Sequence, residues 1–407
     1  MKKPSMLRKS AGVVTAFLVA MSWFSPMQRT LRSTPDTLTL TRTQLNEMHL
    51  GHLTLEGEVI SATASEDETL GEAASAEMWL SLLGVPLKKV KVRVSPEKRL
   101  VPGGMALGIA MRTEGVLIVG VSEAAEGVAP AKNAGLQAGD VIVGVEGSAV
   151  TTAEILTELL AKSAGKPVHI AYRRAGENRT ALLTPYRDEA TGAVRLGAWV
   201  RDSTAGVGTL SFYDPDTGRY AALGHAITDG DTGSVLSVSE GQVLRAEIVA
   251  VQKGQKGAPG ELKGSFLREG EVLGNIRRNS ILGIYGALDA PAVNPLYPDG
   301  LPIGLRSGVH TGPATLLSSV DGAGVKEYAI EISRVNQQSA PAPKSMVIRV
   351  TDERLLAATG GIVQGMSGSP IIQDGRLVGA VTHVFVSDPT QGYGLYVDWM
   401  LQESGQI

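Results

Sequence analysis

The stretch GGIVQGMSGSPIIQDGRLVGAVTH, Gly360 to His383, holds six glycines, two serines and a proline among short apolar runs. Ile371-Ile372-Gln373 and Arg376-Leu377-Val378-Gly379 flank the pair Asp374-Gly375, which readily supplies the positive φ angles of a two-residue hairpin turn. The chain here is antiparallel β, and the serines lie just before the hairpin. The pattern extends outward. From Thr191 onward, LGAWVRD, AGVGTLSFYD, GRYAALGHAITD, GSVLSVSEGQVLRAEIVAV and KEYAIEISRV are punctuated by glycine and in several cases alternate apolar with polar residues. Turn signals recur about every 8–12 residues and no βαβ rhythm is visible, so a barrel or sandwich is expected. PAPK, Pro341 to Lys344, breaks a loop, and strand-like MVIRV resumes at Met346.

Composition agrees. A chain of 407 residues exceeds the size at which one core stops growing. With 49 glycines, 20 prolines, 4% aromatic and 19% charged residues, mainly β structure fits better than a helical bundle or a disordered chain. A net charge of -3 gives no footprint for nucleic acid. The absence of cysteine removes disulfides, thiolate ligands and a cysteine nucleophile. His49 and His52 have no third ligand nearby, so neither a metal nor another cofactor is expected.

Lys2, Lys3, Arg8 and Lys9 precede an uncharged run from Ser10 to Gln28, the n-region and h-region of an export signal. No small-x-small cleavage site follows. Residues 1–28 are therefore expected to be an uncleaved signal anchor, and 29–100 a membrane-proximal region with a helix over Leu70–Leu83 and a strand at Val90–Val94.

Gly103 to Val121 suggests two strands about a turn at Thr113–Gly115, followed by a short helix, a turn and a strand over Ala131–Val150. A helix at Thr152–Ser163 and a strand at Val168–Arg174 close the unit. Gly135-Leu136-x-x-Gly139-Asp140-x-Ile142, with Val145 and Gly147, resembles a permuted PDZ domain of bacterial proteases, covering about 101–186. The resemblance implies that Met105, Ala106, Leu107, Gly108 and Ile109 form the loop and strand that take a peptide or protein C-terminus by strand addition.

Gly365-Met366-Ser367-Gly368-Ser369-Pro370 has the G-x-S-G-x-P form and resembles the nucleophile loop of chymotrypsin-like serine peptidases. That likeness makes Ser367 the nucleophile and the N–H groups of Gly365 and Ser367 the oxyanion donors. A serine needs a base. His225, at a strand end in AALGHAITDG, fits, although a lone strand-end histidine has an ordinary structural reading too. Ser369 reads as structural and His383 as core. An α/β-hydrolase elbow is excluded because G-x-S-x-G is absent, and Lys263-Gly264-Ser265 has the wrong order for a phosphate loop.

GHAITDGDTG, QKGQKGAPGELKGSF and the run from Thr359 to Met400 together resemble the stage IV sporulation protein B peptidases. The resemblance implies a fold that is mainly β: a signal-anchor helix, a PDZ domain and, over 187–407, a chymotrypsin-like double β-barrel peptidase domain. It implies an exported, membrane-tethered serine endopeptidase acting in the space between mother cell and forespore. There it would cleave itself and a membrane-bound regulatory protein, triggering intramembrane processing of a late sporulation sigma factor. By the same resemblance Asp352, in VIRVTDERL, is the acid of a His225, Asp352, Ser367 triad, with Asp229 and Asp289 as other candidates. A Thr-Asp pair before ERLLAAT is equally a helix N-cap. Two other functions stay open: a non-catalytic PDZ-based regulator and a general quality-control protease.

Overall fold

The computed structural model describes residues 31, 34, 36–47, 54–56, 74–82, 84–266 and 271–406. The anchor expected over 1–28, and His49 and His52, lie outside the described residues. Among those described, no helix is long and apolar enough to cross a membrane. The chain divides into two compact units, 1–98 with 303–309, and 99–302 with 310–407.

In the first unit a four-stranded sheet has the order 37–41, 85–95, 74–82, 54–56. The expected strand at Val90–Val94 lies within Val85–Ser95, but the helix expected over Leu70–Leu83 is instead a strand, Ala74–Leu82. Ala76, Met78 and Leu80 are all buried in this unit's core. That spacing of two places one face of a strand inward, which a helix could not do.

The second unit holds the PDZ-type and peptidase-type segments. Both segments share the long strand β1, Ala106–Val121. The turn expected at Thr113–Gly115 is absent: Gly115 takes φ +98° and Thr113 Oγ1 donates to Gly115 O at 2.6 Å, so the chain bulges and runs on. Helix α1, Ala153–Lys162, begins at its N-cap Thr152, whose hydroxyl accepts from Ile155 N–H. Leu156 and Leu160, four apart on that helix, pack with Val116, Ile118, Ile142 and Ile170 in the PDZ-type core. Strands 177–183, 168–174 and 141–145 lead to β1 in that order.

Next comes β2, Ala198–Tyr213, which pairs with β1 along almost its whole length. On the opposite side of β1, β3, Val238–Arg245, pairs with Leu107 to Thr113. Leu107 and Ile109 are thereby sealed into a core with Leu210, Tyr220, Leu223 and Val243. An ideal Cβ on Gly108 would meet the Phe266 ring at 2.6 Å. This corrects the expectation for Met105–Ile109. Strand addition needs a free edge, and here both edges of Leu107–Ile109 are hydrogen-bonded within the chain.

The C-terminal part is a closed six-stranded barrel of β4 (Gly312–Ser318), β5 (Lys326–Val335), β6 (Met346–Val350), β7 (Pro370–Gln373), β8 (Arg376–Phe385) and β9 (Asp388–Tyr396), ordered β4-β5-β6-β9-β8-β7. Leu316 opposite Ile371 closes it. The expected hairpin is the β7–β8 turn, with Asp374 at φ +51° and Gly375 at φ +69°, both in the region such turns require. Helix α2, Glu353–Thr359, follows β6, and α3, Val397–Glu403, follows β9.

Candidate active site

The loop before β7 is pinned on three sides. Gly368 N–H donates to Val381 O at 2.8 Å, Thr209 N–H to Ser367 O at 3.1 Å, and Thr209 Oγ1 to Gly365 O at 2.7 Å. Met366, fully buried, anchors the loop, and Ser369 Oγ donates to Ser318 Oγ inside the barrel, so Ser369 is structural as expected. The neighbouring backbones come so close that only glycine fits. A Cβ on Gly368 would lie 2.1 Å from Thr209 O and 2.6 Å from Leu223 N.

Strand 219–222 ends in two left-handed residues, Leu223 at φ +70° and Gly224 at φ +68°, and then presents His225. Gly224 abuts β8: its ideal Cβ would stand 2.9 Å from Thr382 Cγ2. The structure thus gathers His225 and Ser367 about the same short span of β8, Val381 to His383.

The hydrogen-bond pattern defines what each group can do. Ser367, half-buried, donates its hydroxyl to Thr382 O at 2.8 Å. Among the described residues, no hydrogen bond joins it to His225, and the N–H groups of Gly365 and Ser367 have no acceptor. His225 Nδ1 lies 2.8 Å from Ala226 O. A carbonyl only accepts, so the neutral ring carries its proton on Nδ1 and leaves Nε2 with the lone pair a base needs. Loss of water around the ring lowers the His225 pKa, against the opposing pull of the Ala226 carbonyl. The imidazole is therefore neutral at pH 7.

The expected triad is not closed in this structure. Asp352 is the N-cap of α2: its carboxylate accepts from the N–H groups of Ala329, Arg354 and Leu355 and from the Arg354 guanidinium, with Nη2 at 2.8 Å. His225 is not among its partners. The Arg354 guanidinium, and after it those backbone donors, hold the carboxyl well below the usual range even though burial works the other way. The sequence carried this outcome in TDER, where the capping acid and its arginine are two residues apart. Asp229 is likewise committed, to Arg201 and to the N–H groups of Asp231 and Thr232. Among the described residues, no hydrogen bond or ion pair joins Asp289 to His225. In place of a carboxylate, the Ala226 carbonyl orients the base.

A consequence can be measured. Because folding lowers the Asp352 pKa, the stability it contributes is present above about pH 4, the unfolded value, and fades as pH falls below it. Asp352→Asn keeps a good N-cap residue but loses the charged hydrogen bonds to the Arg354 guanidinium, so it is expected to cost about 1–2 kcal/mol at pH 7 and to flatten the acid limb of a thermal-melt series. An unchanged acid limb would show that the carboxylate contributes no such linkage.

Two neighbours of the site were missed in the sequence. His383 reads as core, yet it is exposed, because the buried run of β8 stops at Thr382. Its ring centroid lies 5.1 Å from that of His225. Lys344, in the PAPK loop, sets its Nζ 4.8 Å from the centre of the Tyr393 ring. The signal for His383 was the polar pair Thr382-His383 interrupting an apolar run, and Lys344 carried none.

A nucleophile loop on the closed barrel, pinned against the sheet that carries His225 and that runs on through β1 into the PDZ-type strands, defines a serine peptidase carrying a PDZ domain. The chain belongs to the SpoIVB peptidase S55 family, whose model matches residues 192–401, and a PDZ domain model matches 88–184. No curated protein matches it. Among solved structures it is similar to the PDZ domain of the SdrC-like protein Lmo2051 from Listeria monocytogenes, with 24% identity, 21% of this chain and 87% of that one covered, and a TM-score of 0.19. The active form of the Rv3671c protease from M. tuberculosis shares 16% identity over 50% of this chain and 74% of that one, with a TM-score of 0.27. The HtrA-type protease AlgW with a decapeptide shares 14% over 54% of this chain and 57% of that one, with a TM-score of 0.28.

Proposed function

We propose that this peptidase is exported and membrane-tethered, and that it cleaves itself and a membrane-bound regulatory protein, so triggering intramembrane processing of a late sporulation sigma factor. Family membership and the basic, then apolar, N-terminus support the setting. The observation that carries the chemistry is the pair of N–H groups at Gly365 and Ser367, which have no acceptor among the described residues, on the loop that shares one span of β8 with a neutral His225.

In this reading Ser367 turns its hydroxyl from Thr382 O toward His225 Nε2, which takes the proton as Oγ attacks the peptide carbonyl. The two N–H groups receive the oxyanion as it forms. His225 then gives its proton to the leaving amine, and water, deprotonated by the same nitrogen, releases the acyl group. The alternative of a regulator working only through Met105–Ile109 loses its binding edge to β2 and β3.

Expression of the full chain in bacteria tests the proposal. The wild type should release a soluble fragment whose N-terminus, read by sequencing, falls between about Arg29 and Val101, while Ser367→Ala stays full-length in the membrane fraction. Release from both proteins, or from neither, would count against self-cleavage by Ser367.

A further inference from the structure

One polar cluster at the rim of the site has no use in the chemistry above. His383 follows directly on Thr382, whose carbonyl holds the Ser367 hydroxyl. Across the sheet, His383 is the register partner of Tyr393 on β9. Lys344 lies over the Tyr393 ring, and its loop is fixed against the same point of β8, because Thr382 Oγ1 donates to Pro343 O at 3.3 Å while Asn336 and Gln338 side-chain amides donate to Lys344 O. Phe385, whose ring centroid lies 4.7 Å from that of Tyr393, forms an apolar flank.

Among the described residues, the Lys344 ammonium, the His383 ring nitrogens and the Tyr393 hydroxyl have no hydrogen-bond partner, and no carboxylate pairs with Lys344. One cation and two neutral donors, held on three backbone segments and uncompensated by any acid, suit an anion of carboxylate size. Although His383 is exposed at the rim, its ring packs 5.1 Å from that of His225, and the partial loss of solvent there, then the charges of His225 and Lys344, push its pKa down to about 4. It therefore meets a substrate as a neutral ring, and a bound carboxylate would draw its N–H as a donor.

We infer that Lys344, His383 and Tyr393 form a specificity site for a carboxylate of the substrate close to the scissile bond, so that the enzyme prefers acidic peptides. The inference rests on the reading of Ser367 as nucleophile. Lys344 supplies the charge, and His383 positions the carboxylate next to the nucleophile. The favoured source is a Glu or Asp side chain, because an endopeptidase cuts within chains. A free C-terminus presents the same group.

Three labelled peptides separate these possibilities: one with an internal Glu and an amidated end, the same with Gln, and the Gln peptide with a free C-terminus. Their kcat/KM values are compared for the wild type, Lys344→Glu and His383→Gln. The Glu peptide should exceed the amidated Gln peptide by on the order of tenfold, the range for a hydrogen bond to a charged group, and Lys344→Glu should erase or invert that ratio. An advantage confined to the free C-terminus would keep the carboxylate site and change its source. Equal rates on all three, or a ratio untouched by Lys344→Glu, would overturn it. Binding of the same peptides to the Ser367→Ala chain, followed by fluorescence anisotropy, decides the point without catalysis. If the wild type cleaves nothing while the Glu peptide still binds more tightly than its Gln counterpart, the nucleophile assignment fails and the carboxylate site stands; equal binding removes the site.

Discussion

Ser367→Ala should lower kcat by on the order of 10⁴ to 10⁶, the span seen when a peptidase loses its nucleophile, and should remove labelling by a fluorophosphonate. The Ser367 hydroxyl belongs to the loop whose Gly365 and Ser367 N–H groups have no acceptor among the described residues, and it meets the same span of β8 as the His225 imidazole. Ser369, two residues on, is fully buried and tied to Ser318, so it offers no substitute. The variant should also keep its fold. It loses one hydrogen bond, to Thr382 O, worth about 1 kcal/mol, and its melting temperature should stay within a few degrees of the wild type. Labelling that survives in the folded variant would move the nucleophile elsewhere.

Gly368→Ala is expected to be nearly as damaging by a different route. Gly368 takes φ +99°, which an alanine adopts at a cost of about 1–3 kcal/mol, and the new methyl would overlap Thr209 O and Leu223 N, backbone atoms that cannot swing aside. Leu223 leads straight to His225. The loop and the base must therefore move apart, and a displacement of about 1 Å between reacting groups costs on the order of 10² in rate. Labelling rate and melting temperature should fall together. Gly375→Ala is the control: its φ of +69° is also unfavourable, but a Cβ there meets nothing within 4 Å, so stability should fall slightly and labelling should persist. Equal behaviour of the two variants would mean that contact at Gly368 does not set the geometry.

Local signals in the chain were reliable where one segment contains its own reason. Asp374-Gly375 makes the hairpin, Thr152 caps α1, and G-x-S-G-x-P makes a loop whose glycines are needed for backbone contact. The failures share one cause, which is that the deciding partner is distant or competes locally. Nothing near Met105–Ile109 announces that β3, more than a hundred residues on, covers the free edge. Asp352 was legible both as a cap and as a catalytic acid, and Arg354, too close for a long-range contact to compete with, held it in the first role. Lys344 and His383, about forty residues apart, become neighbours only once the barrel has closed.

The faces of β1 are divided between two interiors. Leu107 and Ile109 belong to the peptidase side, Val116 and Ile118 to the PDZ side. Because side chains alternate along a strand, adding or removing one residue between them would turn one of those sets outward. A PDZ domain hung on a tether can be traded between proteins like a cassette and tolerates changes in the length of its joint. In this chain the joint is itself a strand shared by both halves, so the two must be inherited and altered as one piece.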